Sequence, residues 1–243
     1  MIKNITQQCV TWLLASLVLC LTGTVEASNK AIKQGIMMVA YNGTAWYPYI
    51  LDTASKNKQW VKIKEIEDPS GVTWQAKTGD FFIKGNDRKL YSFNATKQIL
   101  SPLKSFDTQT EKTNSYTQLR AHDQGMVMIK LIDGKSRNTE VIGINQESKI
   151  STLLKQASAQ FHPYRYKNYL YYAHVSCRME CSPLIQEIWR KDLISGKTEQ
   201  LSLLNAVSYL HSIDNAGAQG FISSNKNGFY HIAALNFKTH KVK

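Results

Sequence analysis

The chain consists mainly of short apolar runs that are separated by polar turns. The runs are rich in β-branched and aromatic side chains, as in "GIMMVAY", "DFFIKG", "GMVMIKLI" and "YLYYAHV". Turn-forming pairs such as Asn42-Gly43, Asp133-Gly134 and Asn227-Gly228 stand between them. Many short strands with regular turns indicate an all-β domain. The nearest candidate for an amphipathic helix is "ISTLLKQASAQF", residues 150–161.

One pattern recurs five times: an apolar run ends in Asp or Asn, and a cluster rich in Ser, Thr and Lys follows. The repeated Asp or Asn residues are Asp52, Asn94, Asn145, Asp192 and Asn236. They are 42, 51, 47 and 44 residues apart, which is typical of four-stranded propeller blades of about 40–50 residues. The sequence therefore predicts a β-propeller of about five four-stranded blades, with a β-sandwich as the alternative.

Repetition has a physical reason, because a single sheet cannot bury both of its faces, whereas sheets stacked around an axis cover one another. Ring closure depends on the two ends of the chain. Only seven residues follow Asn236, which is short for an outer strand. We therefore expect residues 28–35 to supply the outer strand that completes the ring.

The N-terminus has the features of a secretory signal peptide. Lys3 precedes the apolar run "WLLASLVLCL", and small residues at Val25 and Ala27 follow it. The run is shorter than the roughly 20 apolar residues that span a bilayer. We predict cleavage after Ala27, a single propeller domain over residues 28–243, and a periplasmic or secreted protein; a retained anchor is the alternative.

The charge is strongly basic, at +12 for the whole chain. An exported chain rarely meets nucleic acid, so we expect none as a partner. The expected partners are an envelope protein or an anionic glycan or lipid surface, with the protein peripheral to the membrane at most. A basic surface that only keeps the protein soluble is the alternative.

Two cysteines remain after the predicted cleavage, in the segment "CRMEC". Cys177 and Cys181 lack the second ligand pair that a zinc site needs, and redox motifs usually have two intervening residues rather than three. In an exported chain the pair favours a disulfide that fixes a protruding loop.

Three histidines precede the apolar strand of successive repeats: His122, His162 and His211. If the repeats superpose, these imidazoles converge near the central channel and could hold a divalent metal. The alternative is that each histidine caps a turn. We expect no cofactor, with a divalent metal at these histidines as the alternative.

The segment "FHPYRYKNYLYYAH" combines five tyrosines with two cations. Aromatic rings beside Arg165 and Lys167 can stack on sugars or grip a peptide, although strands are rich in tyrosine in any case. The predicted contact set belongs to this fourth repeat and consists of Arg165, Tyr166, Lys167, Arg178 and Trp189.

The last two repeats resemble those of the TolB-like β-propeller family. The resemblance rests on "KDLISGKTEQL" and on "SSNKNGFYHIAALNF", in which Lys226 occupies the place of the family's arginine. It covers about residues 118–243 and, more faintly, 34–103, and concerns the propeller without the family's N-terminal α/β domain. It implies a propeller in the bacterial periplasm.

No nucleophile elbow, phosphate-binding glycine loop or His-Glu-x-x-His motif occurs in the sequence. The sequence therefore favours a non-enzymatic binding module of the cell envelope, whose rigid blades present loops to a protein or a glycan. The alternative is a metal-dependent lyase or hydrolase that acts on acidic glycans through the channel histidines.

Overall fold

The computed structural model describes residues 35–53, 60–75, 78–106, 113–135, 137–176 and 184–243. These residues form five separate antiparallel sheets, and each sheet is made from one continuous part of the chain. The sheets are the blades of a five-bladed β-propeller. The predicted all-β propeller is confirmed, and the alternative of a β-sandwich is wrong because no two sheets exchange strands within the described ranges.

The strands of each blade follow one another in chain order. Blade I contains β1 (Gly35–Tyr41), β2 (Trp46–Asp52) and β3 (Trp60–Lys62). Blade II contains β4 (Gly71–Gln75), β5 (Asp80–Lys84), β6 (Lys89–Asn94) and β7 (Ile99–Ser105). Blade III contains β8 (Ser115–His122), β9 (Gly125–Leu131), β10 (Thr139–Asn145) and β11 (Ile150–Lys155), with a 3₁₀ turn at Ile132–Gly134. Blade IV contains β12 (Gln160–Tyr166), β13 (Tyr169–Val175), β14 (Gln186–Asp192) and β15 (Thr198–Gln200), and blade V contains β16 (Ser208–Ile213), β17 (Gln219–Ser224) and β18 (His231–Asn236).

The repeated Asp or Asn residues end the third strands of blades II to V and close the turns that follow. In each case Oδ1 accepts hydrogen bonds from backbone N–H groups two to four residues ahead, which is the chemistry of an Asx turn. The acceptors and donors are Asn94 with Lys97, Asn145 with Glu147 and Lys149, Asp192 with Ile194 and Ser195, and Asn236 with Lys238 and Thr239.

Residues 150–161 do not form a helix. Residues 150–155 are β11, the outer strand of blade III, and β12 begins at Gln160. Leu154 pairs with Val141 of β10, and both side chains are buried between blades III and IV. Pairing and burial in the blade therefore override the helical pattern of this segment.

The C-terminal residues occupy the outer position of blade V. Ala234 and Lys243 exchange two backbone hydrogen bonds of 2.9 and 3.0 Å, and the N–H of Asn236 donates to the carbonyl of Lys241 at 2.9 Å. Residues 28–34, which the sequence analysis expects to supply an outer strand, lie outside the described residues. Even seven residues are enough, because a tight turn at 237–240 returns the chain beside β18.

The hydrophobic core is divided among the spaces between blades. Phe81 and Ile83 of blade II pack with Ile50 of blade I, and Phe82 and Leu90 face blade III from the other side of the same sheet. Similar clusters join blade III to blade IV and blade IV to blade V. Blades II to IV therefore bury both faces, as the repetition predicted.

Residues 1–34 lie outside the described residues, so the signal peptide and the boundary at residue 27 stay predictions. No helix in the ranges that the structure describes is long and apolar enough to cross a membrane.

Candidate functional site

The first strands of blades II to V line the axis of the propeller, where β4 touches β8, β8 touches β12 and β12 touches β16. Three of these strands contain a bulge, at residues 118–119, 162–163 and 211. Gln118 and His162 adopt positive φ values of 55° and 51° at these bulges. A bulge changes the direction of side chains, so the bulges decide which groups point into the channel.

A cavity of about 600 Å³ lies where these innermost strands turn into the second strands. We call it the mouth cavity; its lining comes from residues 74–75, 121–124, 164–168 and 213–215. Four consecutive blades thus contribute to one site. The predicted residues Arg165, Tyr166 and Lys167 all line it, and so does His122.

Arg165 is the central cation of the mouth cavity. Its guanidinium donates hydrogen bonds to Oε1 of Gln124 at 2.7 Å and to the carbonyl of Lys167 at 3.4 Å, so its acceptors among the described residues are neutral. None of the ion pairs between described residues includes it. Burial lowers the pKa of Arg165 from its usual value. The guanidinium nevertheless stays charged at neutral pH and would gain from an anionic partner.

Tyr166 and Lys167 form the wall beside Arg165. The Tyr166 hydroxyl donates to the carbonyl of Asn215 at 2.8 Å, and its ring packs on Gly217, which has φ +72°. A Cβ at Gly217 would lie 2.5 Å from the ring, so this glycine permits the close approach. Tyr166 therefore fixes the blade V turn against blade IV. The Lys167 ammonium lies 5.1 Å from the centre of the Tyr166 ring.

His122 lines the mouth cavity as a neutral imidazole. Burial, and then the positive charge of Arg165, lower its pKa to about 4, while the Met126 carbonyl and Asp123 oppose the shift. Nδ1 accepts a hydrogen bond from the N–H of Gln124 at 3.2 Å. The alternative prediction that each histidine caps a turn therefore describes His122 well.

His162 and His211 lie at the bulges, away from the position of His122. The His162 ring is 4.4 Å from the ring of Tyr209, and burial, Arg120 and His211 lower its pKa to about 4. His211 Nε2 lies 2.8 Å from the hydroxyl of Ser223. Gln118 occupies the bulge position in blade III that corresponds to His162 in blade IV. Its Oε1 accepts a hydrogen bond from the backbone N–H of His162.

The repeats therefore do not superpose the three predicted metal ligands. His122 ends its strand three residues before β9, whereas His162 and His211 lie seven and eight residues before their next strands. Within the part of the chain that the structure describes, no group of three or more His, Cys, Asp or Glu side chains is arranged to hold a metal ion. The expectation that His122, His162 and His211 converge to hold a metal is therefore wrong.

Arg120 is a functional candidate that the sequence analysis missed. Its guanidinium donates to the carbonyl of His211 at 2.8 Å and lies 5.1 Å from the centre of the Tyr164 ring. Tyr164 also lines the mouth cavity, so Arg120 lies directly behind that wall. Burial lowers its pKa. No motif marks Arg120, because the bulge in β8 aims its side chain toward blade V.

Trp189 does not belong to the mouth cavity. It packs against the cluster between blades III and IV that contains Val127, Leu154 and Tyr172, and its ring lies 5.5 Å from that of His174. The structure therefore gives Trp189 a role in packing and separates it from Arg165.

Cys177, Arg178 and Cys181 lie outside the described residues, so the disulfide and the contact role of Arg178 stay predictions. Strands β13 and β14 carry the chain away from the turn at 167–168, so Ser176 and Leu184 lie at the opposite end of blade IV from Lys167.

A second cavity, of about 620 Å³, lies at the opposite ends of the blade II strands and is lined by residues 64–68, 85–87 and Tyr91. Three of the four carboxylates that line it accept hydrogen bonds within the fold. Glu67 accepts from the Tyr47 hydroxyl, Asp68 from the Trp46 N–H, and Asp87 from the Tyr91 hydroxyl. The contacts of Glu67 and Asp68 hold the connection between β3 and β4 against blade I, whereas that of Asp87 lies within blade II.

No protein-family model matches the chain, and no curated protein sequence matches it. The fold, in contrast, has clear structural counterparts. TolB from Acinetobacter baumannii is similar over 88% of this chain, with a TM-score of 0.66 and 14% identity. An oligogalacturonate lyase in complex with manganese is similar over 88%, with a TM-score of 0.65 and 12% identity.

An oligogalacturonate lyase from Vibrio parahaemolyticus is also similar over 88% of the chain, with a TM-score of 0.66 and 11% identity. The chain spans 53% of the length of that TolB structure and 64% of each lyase. Identities this low show the fold alone. The chain therefore has a TolB-like β-propeller fold, as the resemblance of its repeats implied.

Proposed function

We propose that this protein is an exported, non-enzymatic binding module of the bacterial cell envelope, and that its mouth cavity receives an anionic group of an acidic protein or glycan. The observation that carries this proposal is the environment of Arg165. The guanidinium is half-buried at a cavity, and within the described residues its hydrogen-bond acceptors are neutral. A carboxylate can take up such a fork with two parallel hydrogen bonds.

The setting of the cavity supports the proposal. Rigid innermost strands of four blades hold its walls, so little side-chain entropy is lost on binding. Tyr164 and Tyr166 offer aromatic faces beside the cations, which suits a sugar ring or a peptide. The net charge of +12 speeds the encounter with acidic partners.

Two carboxylates also line the mouth cavity and shape its selectivity. Asp214 already accepts hydrogen bonds from the N–H groups of Ala218 and Gln219, which occupy one of its oxygens. Asp123 is exposed at the rim. A ligand that combines a carboxylate with hydroxyl donors, such as an acidic sugar, would satisfy both Arg165 and these acceptors.

Charge reversal at Arg165 tests the proposal. We expect Arg165→Glu to weaken binding of two defined probes, an oligogalacturonate and a polyglutamate peptide, by at least about tenfold, because the variant places a third carboxylate at the cavity. Calorimetric titration at low and at physiological salt measures this. The matched control is Lys226→Glu, which makes the same charge change on the exposed β17–β18 turn at the other end of blade V.

Equal weakening by Arg165→Glu and Lys226→Glu would contradict a localised site and would favour the diffuse basic surface. In the native envelope, crosslinking through a photoreactive residue at position 167 should capture an acidic neighbour. Loss of that product in Arg165→Glu, but not in Lys226→Glu, would identify it as a ligand of the cavity.

The second candidate function is a metal-dependent lyase or hydrolase on acidic glycans. Its support is the fold shared with the manganese-bound lyase, and the arrangement of His122, His162 and His211 weighs against it. Incubation of oligogalacturonate with the protein and manganese should leave the chain length unchanged. Shortened products, or stoichiometric metal that is lost when all three histidines become alanine, would favour the enzyme instead.

A further inference from the structure

The turns that follow the third strands of blades II to V carry a set of exposed lysines. The turns are residues 95–98, 146–149, 193–197 and 237–240. Their lysines, with the one that directly follows the last turn, are Lys97, Lys149, Lys197, Lys238 and Lys241, and all five are exposed. The only carboxylate in these fully described turns is Glu147. We call the five lysines the lysine arc.

Strand pairing places the lysine arc on the same face of the propeller as the mouth cavity. The Asp or Asn before each turn pairs with the first residue of the second strand of its blade. The pairs are Asn94 with Asp80, Asn145 with Gly125, Asp192 with Tyr169 and Asn236 with Gln219. These second strands begin where the cavity-lining segments end. Each blade that lines the mouth cavity therefore also presents a part of the lysine arc beside it.

The arc lies outside the rim of the mouth cavity on a continuous surface. Neighbouring strands lie about 4.8 Å apart, so each outer turn is roughly 10 Å farther from the axis than the cavity-lining turn of its blade. The two kinds of turn touch: the N–H of Leu193 donates to the carbonyl of Asn168 at 2.8 Å, and that of Phe237 to the carbonyl of Ala218 at 3.0 Å. A small ligand would stay inside the rim, whereas a long chain that leaves the cavity would cross the arc.

The turns fix the backbone of the lysines. Oδ1 of the preceding Asn accepts a hydrogen bond from the N–H of Lys97 at 2.8 Å, of Lys149 at 2.9 Å and of Lys238 at 3.0 Å. The carbonyl of Lys197 accepts from the N–H of Asp192 at 2.8 Å. Only the side chains would lose freedom when an anion binds, which limits the entropic cost of binding.

Most of the charge of the arc is not neutralised by a direct partner. Among the ion pairs that the described residues form, the one between Lys149 and Glu147 alone involves the arc. The ammonium groups of the other four lysines can therefore act as point charges for anions.

The remaining side chains of the turns indicate the class of partner. Ile194, which is 78% exposed, is the only exposed large apolar residue in these four turns. A protein interface has an apolar core that is depleted of charge, and binding to a lipid surface uses buried apolar area in addition to charge. The turns instead carry hydroxyl groups, on Thr96, Ser148, Ser195 and Thr239. Ammonium and hydroxyl groups without an apolar core suit a hydrated, polyhydroxylated anion.

We propose that the mouth cavity and the lysine arc together bind a long acidic polysaccharide, with one carboxylate at Arg165 and further carboxylates along the arc. The inference rests on the proposed function, because Arg165 is the anchor of the chain. A polysaccharide with regularly spaced carboxylates can reach lysines on more than one blade. Once the first carboxylate is bound, each further contact is intramolecular, so affinity should rise with chain length.

Titration with digalacturonate and with a long polygalacturonate at physiological salt tests the proposal. The triple variant Lys97→Gln, Lys197→Gln and Lys238→Gln removes three charges from the arc and keeps each backbone N–H. We expect the affinity for polygalacturonate to fall by at least about tenfold, because several contacts are lost together. The affinity for digalacturonate should change by less than about twofold, because salt screens an exposed charge beyond about 10 Å.

The matched control is the triple variant Lys64→Gln, Lys135→Gln and Lys226→Gln, which removes the same charge from exposed positions at the opposite ends of the blades. It should change both affinities by less than about twofold. Equal weakening of polygalacturonate binding in the two triple variants would overturn the proposal in favour of diffuse attraction. Unchanged polygalacturonate binding in the arc variant would also overturn it.

Failure of this inference can be distinguished from failure of the proposed function. Digalacturonate binding that is lost in Arg165→Glu would support the cavity even where the arc has no effect, whereas digalacturonate binding that Arg165→Glu leaves unchanged would contradict the cavity itself. A long polyglutamate that loses more affinity than polygalacturonate in the arc variant would overturn the assignment to a polysaccharide, in favour of an acidic protein.

Discussion

At the scale of single residues, two histidines beside arginines couple the ligand region to pH. His122 and His162 each have a pKa lowered to about 4, by burial first and then by the charges of Arg165 and Arg120 respectively. In the unfolded chain both should titrate near 6.5. The unfolded state therefore binds protons first as the pH falls, and the free energy of unfolding should decrease between about pH 6.5 and 4.

We expect His122→Gln and His162→Gln each to remove part of this decrease. Denaturant unfolding at pH 7.0 and 4.5 measures the effect, as the difference between the two free energies of unfolding. His240→Gln is the control, because His240 is exposed near the C-terminus. A pH dependence that is identical in all three variants would show that carboxylates alone cause the decrease.

Glu187 has a structural role that its place in the sequence did not reveal. It is 1% exposed in β14, and Oε1 accepts hydrogen bonds of 2.7 Å from the N–H groups of Leu204 and Asn205. Oε2 accepts from the hydroxyl of Ser202. The carboxylate thus fixes the connection from blade IV to blade V.

We expect Glu187→Ala to lower the free energy of unfolding by about 3 kcal/mol, because it removes a buried carboxylate that accepts three hydrogen bonds and leaves their donors without an acceptor. Glu147→Ala removes an exposed carboxylate that pairs with Lys149, so it should cost less than about 1 kcal/mol. Urea unfolding measures both. Similar losses for the two variants would mean that water replaces Glu187 at little cost.

Residue patterns predicted the neighbourhood of the site better than its geometry. The alternation of aromatic and basic residues over positions 164–167 predicts Arg165, Tyr166 and Lys167 as a contact set, and the structure places all three at the mouth cavity. His122 and His162 differ by a bulge that no local pattern marks. Arg120 was missed for the same reason, since its contacts lie 91 residues away at His211.

At the scale of elements, the hairpin turns depend on a few backbone positions. Gly125 begins β9 with φ +144°, and a Cβ there would lie 2.1 Å from the carbonyl oxygen of Ile144. Gly196 has φ +74° in the turn between β14 and β15, with no atom within 4 Å of the added Cβ. Both the positive φ and the lack of space disfavour a larger residue at position 125, whereas only the positive φ disfavours one at position 196.

We therefore expect Gly125→Ala to lower the free energy of unfolding by about 3 kcal/mol, because backbone must move in addition to the strain of positive φ. Gly196→Ala should cost about 1 kcal/mol, which is the strain alone. Thermal and urea unfolding of both variants check this. Equal losses would indicate that β9 and β10 separate easily.

The elements themselves were largely predictable, because their signals are local. The Asx turns after Asn94, Asn145, Asp192 and Asn236 depend on a few adjacent residues, and they follow the third strands of blades II to V. The strand at 150–155 was not predictable from its own residues, because pairing with β10 decides it. The fate of the C-terminal residues depends in the same way on β18.

At the scale of the whole molecule, the repeat spacing predicted the number of blades because each blade must cover its neighbours. Hydrophobic clusters fill the spaces from blade I to blade V in the order of the chain. The position of the mouth cavity was not accessible from spacing, since it needs the turn ends of four blades to meet.

The basic charge of the whole molecule raises a last question, which is whether anions bind everywhere or at one place. The double variant Arg165→Glu and Lys167→Glu lowers the charge by four units, to +8, and concentrates the change at the mouth cavity. A double variant of Lys226→Glu and Lys135→Glu makes the same total change at exposed sites in the β17–β18 and β9–β10 connections, at the ends of the blades opposite to the cavity. We expect the affinity for oligogalacturonate to fall by at least about tenfold in the first variant and to change by less than about twofold in the second. The reason is that salt screens the electrostatic effect of an exposed charge beyond about 10 Å. Cosedimentation with anionic phospholipid vesicles should weaken to the same extent in both variants, since a membrane surface senses the total charge. If oligogalacturonate binding instead follows the vesicle result, the ligand site is the basic surface as a whole rather than the mouth cavity.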